Sequence, residues 1–454
     1  MIFIPVLLYA IITFFQGKKI ISILLYFFFL TNGFQLIPEI LFDTYLGINK
    51  SIDFAVIYTL SVFIILLLKH GYKIIKPNNN VEKSLCFFLI FYLIVLFVNL
   101  LLYKVPIDSI VKNSRYYFLL PIFFIFNRLA INEINKIKKI LFKISIFLSS
   151  IFIVQVVIST PLLTGHVGGE MYLGGLTLLR FYNIPILTYY FLFYSIFNNP
   201  YTGRKKIISQ IILISSFILP MHRGFIASFL VIFLIGTYYK QKSVSKTFKT
   251  ITIFSIFLLP FSGIIIDRFS QSKGSQNIDL IQLINNGIDS YDYDKAVTQT
   301  MYFRFAHSIE RGMTAASNKM YALFGIGLWT DNDKAAKDYF DFTVHNALLE
   351  GEDIDDGDVF FTNDIAWSVF FTQIGFLGMI VYLFFYFYIL IFFYKRRNIP
   401  IGNTNLMVLL LFLFTSISSV EMITILGMTP TFLDYTKIKK EEKIFQISEM
   451  NQSR

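Results

Sequence analysis

Residues 84–103 read SLCFFLIFYLIVLFVNLLLY, with no charged side chain among them. At 1.5 Å per residue, a helix of that length spans the roughly 30 Å hydrocarbon core of a bilayer. Apolar runs of the same character recur at 1–16, 20–37, 54–68, 116–128, 144–160, 176–197, 207–219, 225–239, 250–266, 365–394 and 404–420. A weaker one, 421–435, is a candidate thirteenth. The composition agrees with them. Of 454 residues, 55% are hydrophobic, 18% aromatic and 15% charged, and mean hydropathy is +0.63. A soluble domain carries about 25% charged residues, and disordered chains are poor in apolar ones. The expected fold is an all-α polytopic membrane protein of about twelve transmembrane helices.

The connections sort by charge. One alternate set comprises Lys18/Lys19, 69–83, 127–143, 198–206, 240–249 and 395–403; it holds 21 Lys and Arg against two acidic residues. The other short loops, 38–53, 104–115, 161–180 and 220–224, hold six against five. Positive charge favours the cytoplasmic side, which places the first set there and the amino terminus outside. Residues 267–364 differ from every other connection. They form 98 residues with 17 acidic and eight basic side chains, a formal charge of −9. A loop of this length is usually functional or a small domain. The expected organisation is a bundle of about ten helices at 1–266, a large, partly helical extracytoplasmic loop at 267–364, further transmembrane helices at 365–435 and a basic tail at 436–454. The tail prefers the cytoplasm, which requires 421–435 to cross or dip into the membrane.

The net charge of +11 follows this alternation and gives no reason to expect nucleic acid. The single cysteine, Cys86, excludes an internal disulfide and a Cys-rich metal site. No cleavable signal peptide is expected, because the first apolar run leads straight into others. The sequence has no Walker A, HExxH, G-x-S-x-G or CxxC motif, and no cytosolic segment large enough for a nucleotide domain. No internal repeat is visible, which weakens an inverted-repeat transporter reading.

Candidate chemistry gathers on the outer side, with four of the five histidines. Arg180 follows Glu170 and a Gly-rich turn and lies in an apolar run. A charge there faces a cavity or a partner, unless it snorkels to the interface. Met221-His222-Arg223-Gly224 is a tight turn between two helices that holds two cation-capable groups at one surface. The stretch 300–320 reads as an amphipathic helix with Arg304, His307 and Arg311 on one face. Its partner is either the loop's own carboxylates, such as Glu310, or an anionic ligand that suits Arg forks. Phe324-Gly325-Ile326-Gly327 permits close backbone approach. The acidic run 350–358 lacks the EF-hand spacing and reads as a solvated loop, so no metal is expected. His345, before Asn346, is either a loop residue or a general base.

In these features the chain resembles the O-antigen polymerase (Wzy) and O-antigen ligase families of bacterial surface-polysaccharide assembly. The layout is similar across most of the chain, with one large outer loop late in the sequence. Three segments carry the closer likeness. LPMHRGFIASFLVIFLIG resembles the family's Arg-Gly turn, with Arg223 as the matching arginine. YFRFAHSIERG followed by LFGIGLW resembles the loop arginine and its Gly-x-Gly, matching Arg304, Gly325 and Gly327. TNDIAWSVFFTQIGFLGMIVYLFFYF resembles the helix after the loop, with Gly-x-x-Gly at Gly375 and Gly378. Arg180 resembles the arginine before the seventh or eighth helix. One departure stands out. Ligases and many polymerases carry His-Asn close before the Gly-x-x-Gly helix; here Asn363-Asp364 occupies that place, and His345-Asn346 lies eighteen residues before it. This favours a polymerase and leaves the base open.

The resemblance implies a glycosyltransferase in the bacterial cytoplasmic (inner) membrane. Its donor is an undecaprenyl-diphosphate-linked oligosaccharide, and its partners are membrane lipid, a chain-length regulator and a flippase. It makes O-antigen, capsule or exopolysaccharide. Arg180, Arg223, Arg304, Arg311 and His222 would clamp the diphosphate. Asp364, His345, His307 and Glu170 are the candidate bases. The donor is already activated, so neither a cofactor nor a metal is expected. The competing readings are an O-antigen ligase acting on lipid A core, a lipid-linked-sugar transporter, a metal-dependent lipid-phosphate-sugar glycosyltransferase using Glu39, Asp43 or Asp53, and a structural or signalling membrane protein.

Overall fold

The architecture comes from a computed structural model, which describes residues 2–44, 50–165, 167–173, 176–220, 222–258, 283, 286–292, 300–331, 333–344 and 365–452. It is mostly helical. The first half runs α1 (Ile4–Phe15), α2 (Lys19–Leu30), α3 (Ser51–His70), α4 (Asn80–Leu101), α5 (Ile107–Phe118), α6 (Ile122–Phe126), α7 (Ile131–Ile158), a hairpin of β1 (Val167–Leu173) and β2 (Leu176–Phe181), α8 (Ile186–Phe197), α9 (Gly203–Ile218), α10 (Arg223–Gln241) and α11 (Val244–Leu258). Then follow α12 (Thr300–Ser317), α13 (Lys319–Phe324), α14 (Lys334–Tyr339), α15 (Ala366–Gln373), α16 (Gly375–Tyr394), α17 (Pro400–Thr415), α18 (Glu421–Thr424) and α19 (Thr429–Gln452).

Among the described residues, five helices are long and apolar enough to cross a membrane: Ser51–Ile74, Asn80–Leu101, Ile131–Ile158, Arg223–Gln241 and Gly375–Tyr394. Shorter apolar helices, α1, α2, α8 and α17, pack among them. The chain is a membrane-embedded helical protein. Its core is dense in aromatic side chains, as where Phe123 meets Phe385, Phe432 and Tyr435.

Among the described residues, several apolar runs fold differently from a single helix, and three of them show why. The run 116–128 breaks between α5 and α6, where Pro121 precedes the short α6. A proline ring removes a helix hydrogen bond and crowds the preceding turn. The run 176–197 begins as β2 and becomes helical only after Pro185. Leu173 pairs directly with Leu176, and the two residues between them in the sequence are glycines, which suits a two-residue hairpin connection. The chain is mostly helical, as an all-α membrane protein should be, and the hairpin is a local addition to that architecture. The run 365–394 splits into α15 and α16 at Ile374, where ψ is −3°.

The connections gather into two ends. At one, Lys19 Nζ donates to the Arg128 carbonyl (2.6 Å) and Lys440 Nζ to the Leu129 carbonyl (2.5 Å). There Arg396 forks onto Glu442 (2.7 and 2.8 Å), and Lys439 pairs with Glu82. The basic tail thus meets the basic connections, carried there by α19. Inside the bundle α19 is fastened by Asp434, which is fully buried. Asp434 pairs with buried Lys138 of α7 and accepts hydrogen bonds from Tyr190 and from Asn405 (2.8 Å). Ionisable groups this deep occur where they have partners, and all the partners here come from α7, α8 and α17. The opposite end collects the hairpin, the turn before α10, the start of α15 and the connection after α17.

Candidate functional site

The hairpin end is built on buried amides. Gln35 donates to the Asn183 and Ile184 carbonyls (3.2 and 3.3 Å) and accepts from the Ile186 amide (2.9 Å). Gln155 donates to Asn183 Oδ1 (2.9 Å) and accepts from the Leu162 and Leu163 amides (3.1 and 2.9 Å). Asn183 closes the network by donating to the Leu163 carbonyl (2.7 Å). An amide bonded on both faces fixes the backbone that carries it. Asn183 lies three residues after Arg180, so this network sets where β2 emerges.

Arg180 is partly buried and reaches across to the turn before α10. Its Nε donates to the Pro220 carbonyl at 2.7 Å, and its Nη1 donates to the Tyr182 hydroxyl at 2.8 Å. The guanidinium also lies over the Tyr182 ring, 4.4 Å from its centroid. His222 is at the N-cap position of α10, without a side-chain capping bond, and Arg223 is the first helical residue. The His222 ring sits edge-on to Phe225, with centroids 4.8 Å apart. No acidic residue occupies the first turn of α10. Arginine is unfavourable at a helix N-terminus, and an anion placed there satisfies both the dipole and the side chain.

The other motifs join through short contacts. A methyl built on Gly224 falls 2.7 Å from Ser418 Oγ, so the turn lies directly against the connection after α17. The Ser416 carbonyl accepts from the Ala366 amide (3.1 Å), and Ser416 Oγ accepts from Trp367 Nε1 (3.1 Å). Ser368, in the same helix, bonds His307 Nδ1 of α12 at 2.7 Å. Arg304 lies one turn before His307 and is partly buried. Arg180, His222, Arg223, Arg304 and His307 therefore belong to one contiguous end of the bundle.

The face of α12 expected to be basic is real, but it turns inward. His307 and Arg311 are both fully buried. Arg311 pairs with Glu310, donates to the Val344 carbonyl (2.8 Å) and lies 3.6 Å from the centre of the Phe342 ring. Glu310 also accepts from the amides of Thr343 (2.7 Å) and Val344 (3.1 Å). Burial pushes the Arg311 guanidinium down to about 10, with Glu310 opposing the shift, so it keeps its charge at neutral pH. Of the two partners open in the sequence, the loop's own carboxylate is the one Arg311 meets. His345 and Asp364 lie outside the described residues, and Glu170 is described only as backbone in β1. The 350–358 run also lies outside them, and among the described residues no group of three or more His, Cys, Asp or Glu is placed to hold a metal ion.

One residue absent from the sequence-based candidates stands at this end. Glu421 opens α18, between α17 and α19 and outside both. Its amide donates to Ser419 Oγ (3.2 Å), and its carboxylate accepts from Thr424 Oγ1 (3.4 Å). Burial pushes its carboxyl up to about 7, against the Thr424 hydrogen bond. Its charge acts on Tyr189 and Tyr116, and the Tyr189 ring lies tilted against Phe225 of α10, with centroids 5.3 Å apart. The sequence signal was a lone carboxylate heading the apolar stretch MITILGM. Nearby, Arg115 and Asp53 form a close ion pair (2.6 Å) that joins the start of α3 to the end of α5.

No family model matches the chain, and no curated protein or solved structure matches it.

Proposed function

We propose that this end of the bundle transfers a glycan from a polyprenyl-diphosphate donor to a lipid-linked acceptor, extending a surface polysaccharide outside the cytoplasmic membrane. The observation that carries the reading is the Arg180–Pro220 hydrogen bond. It draws an arginine from the hairpin onto the turn that presents His222 and Arg223 at a helix N-terminus. Clustered cations with planar forks suit a diphosphate, whose charge grows as it leaves.

The reaction forms a bond between the acceptor hydroxyl oxygen and the anomeric carbon of the donor, and it breaks the bond from that carbon to the diphosphate oxygen. Arg180, Arg223 and Arg304 hold the departing diphosphate. Glu421 takes the hydroxyl proton, since a carboxyl with a pKa near 7 is substantially ionised at neutral pH and still basic enough to accept it. Arg311 is an anchor for residues 341–344 in this mechanism. The diphosphate leaving group supplies the driving force, so no cofactor enters.

The test is a deletion strain complemented with the intact gene, R180A or R223A. Surface glycan is resolved on a gel, and lipid-linked intermediates are extracted in parallel. Polymerase activity leaves a single repeat unit on the surface in the deletion and in both variants. Long chains that accumulate on the carrier lipid and never reach the lipid A core identify a ligase instead. An unchanged glycan profile in the deletion overturns glycan transfer and returns the transporter reading.

A further inference from the structure

A second feature lies at the opposite end, where α8, α9, α10 and the start of α11 leave a groove of about 370 Å³. That volume lies within the roughly 300–1,000 Å³ typical of ligand sites. Phe197, Ile214 and Phe233, all buried, line its apolar interior. Ile207 and Ile211 remain exposed on its outer lip, so the groove opens toward the surroundings of the helices. In a membrane-embedded bundle those surroundings are acyl chains.

The mouth of the groove is polar and cationic. Lys206 and Lys240 both line it, and the charge of Lys206 acts directly on Lys240. Lys240 Nζ donates one proton to the Ile196 carbonyl (3.0 Å). Among the described residues no carboxylate pairs with either lysine. Two like charges at one apolar rim repel unless an anion lies between them. Gln241 adds direction. Thr250 Oγ1 gives its proton to the Lys246 carbonyl (3.1 Å), so it must accept from Gln241 Nε2 (2.6 Å). This fixes the amide orientation and leaves Gln241 Oε1 as a buried acceptor without a hydrogen-bond donor among the described residues. A buried acceptor calls for a donor.

We propose that this groove holds an anionic phospholipid with a headgroup hydroxyl. The phosphate lies between Lys206 and Lys240, the hydroxyl donates to Gln241 Oε1, and one acyl chain follows the apolar floor. Basic pockets between membrane helices bind such headgroups through this combination. The basic character of 198–206 and 240–249 puts the site in the cytoplasmic leaflet under the positive-inside rule.

Native mass spectrometry of the full-length protein tests the site. The protein is released from micelles holding equal amounts of phosphatidylglycerol, phosphatidic acid and phosphatidylcholine. The intact chain should keep one phosphatidylglycerol under activation that strips phosphatidylcholine. In K206Q/K240Q its retention should fall about thirtyfold, from the per-lysine value at anionic membrane surfaces. Q241L should keep the preference for anionic lipid and lose the preference for phosphatidylglycerol over phosphatidic acid. K206Q alone, at a half-buried position, gives the same reading in a smaller step if the double variant does not fold. Equal retention of phosphatidylcholine, or unchanged retention in the lysine variants, overturns the proposal. So does displacement of the lipid by excess inorganic phosphate, which would mark a free-anion site.

Discussion

Gly325 and Gly375 lie back to back. Each has a left-handed backbone, with φ of +88° and +67°. A methyl on Gly375 would fall 2.6 Å from the Gly325 nitrogen, and one on Gly325 would fall 2.6 Å from the Thr372 carbonyl oxygen. The Gly327 amide donates to that same carbonyl at 2.9 Å. Two glycine motifs separated by fifty residues of sequence thus form one backbone joint. It fastens the large loop to the break between α15 and α16, beside the helix that carries Ser368 and meets His307.

Substitution at this joint should be far more damaging than backbone strain alone. Alanine in a left-handed conformation costs about 1–2 kcal/mol. Gly17 provides the control, because its φ is +84° and a methyl there meets nothing within 4 Å. G375A and G325A should each lower the detergent-phase melting temperature well beyond G17A. Equal shifts in the three variants would show that the backbone contact is not holding the loop.

The Lys138–Asp434 pair makes a second stability prediction. D434N leaves the Lys138 ammonium buried without its counter-charge, and breaking such a pair costs about 3–5 kcal/mol. K138M/D434N removes the orphaned charge and retains the side-chain acceptor for Tyr190 and Asn405. The double variant should recover most of the loss. Melting of the purified variants measures both steps. A double variant no better than D434N would place the value of the site in the salt bridge itself.

These two sites show what the sequence disclosed. Apolar runs without breakers, such as 84–103, became single helices, because length and uniform hydrophobicity are local properties. Runs that carried hidden breakers did not. In 176–197 the strand ends where Asn183 is seized by Gln155 and Leu163, partners distant in sequence. At Gly375 the helix breaks because α13 approaches its backbone, a tertiary fact. The positions of Arg304, His307 and Arg311 on one face were legible from the 3.6-residue period. Which way the face turns was not, since it depends on Ser368 and Val344. Glu421 was not legible in the sequence, because only the fold brings α18 against α5, α15 and α17 and sets its carboxylate within electrostatic reach of Tyr116 and Tyr189.

In the proposed clamp, Arg180 would act through the shape of its fork as well as its charge. R180K keeps the charge but loses the Nε bond to Pro220 and the stacking on Tyr182. A lost charged hydrogen bond of about 1.5–3 kcal/mol corresponds to roughly tenfold or more in rate. Chain extension by membranes containing R180K should fall by at least that factor, with the protein present at normal abundance. Full activity in R180K would leave the Arg180–Pro220 contact without a part in the clamp.

Glu421 makes the protein sensitive to pH in a definite direction. Its carboxyl is held near 7 by burial, above the ordinary 4.5. Between those values the folded protein keeps a proton that the unfolded chain has lost. Folding stability from this group is therefore greatest at low pH and falls as pH rises from about 4.5 through about 7, after which the loss is complete. The melting temperature should decline from pH 5 to pH 8 more steeply in the intact chain than in E421Q, which has no proton to lose. Polymer synthesis should move the opposite way, rising through pH 7 as the carboxylate forms and disappearing in E421Q. Parallel melting curves would show an ordinary carboxyl at position 421. Diverging melting curves with full synthesis in E421Q would keep the raised carboxyl and remove it from the proton transfer.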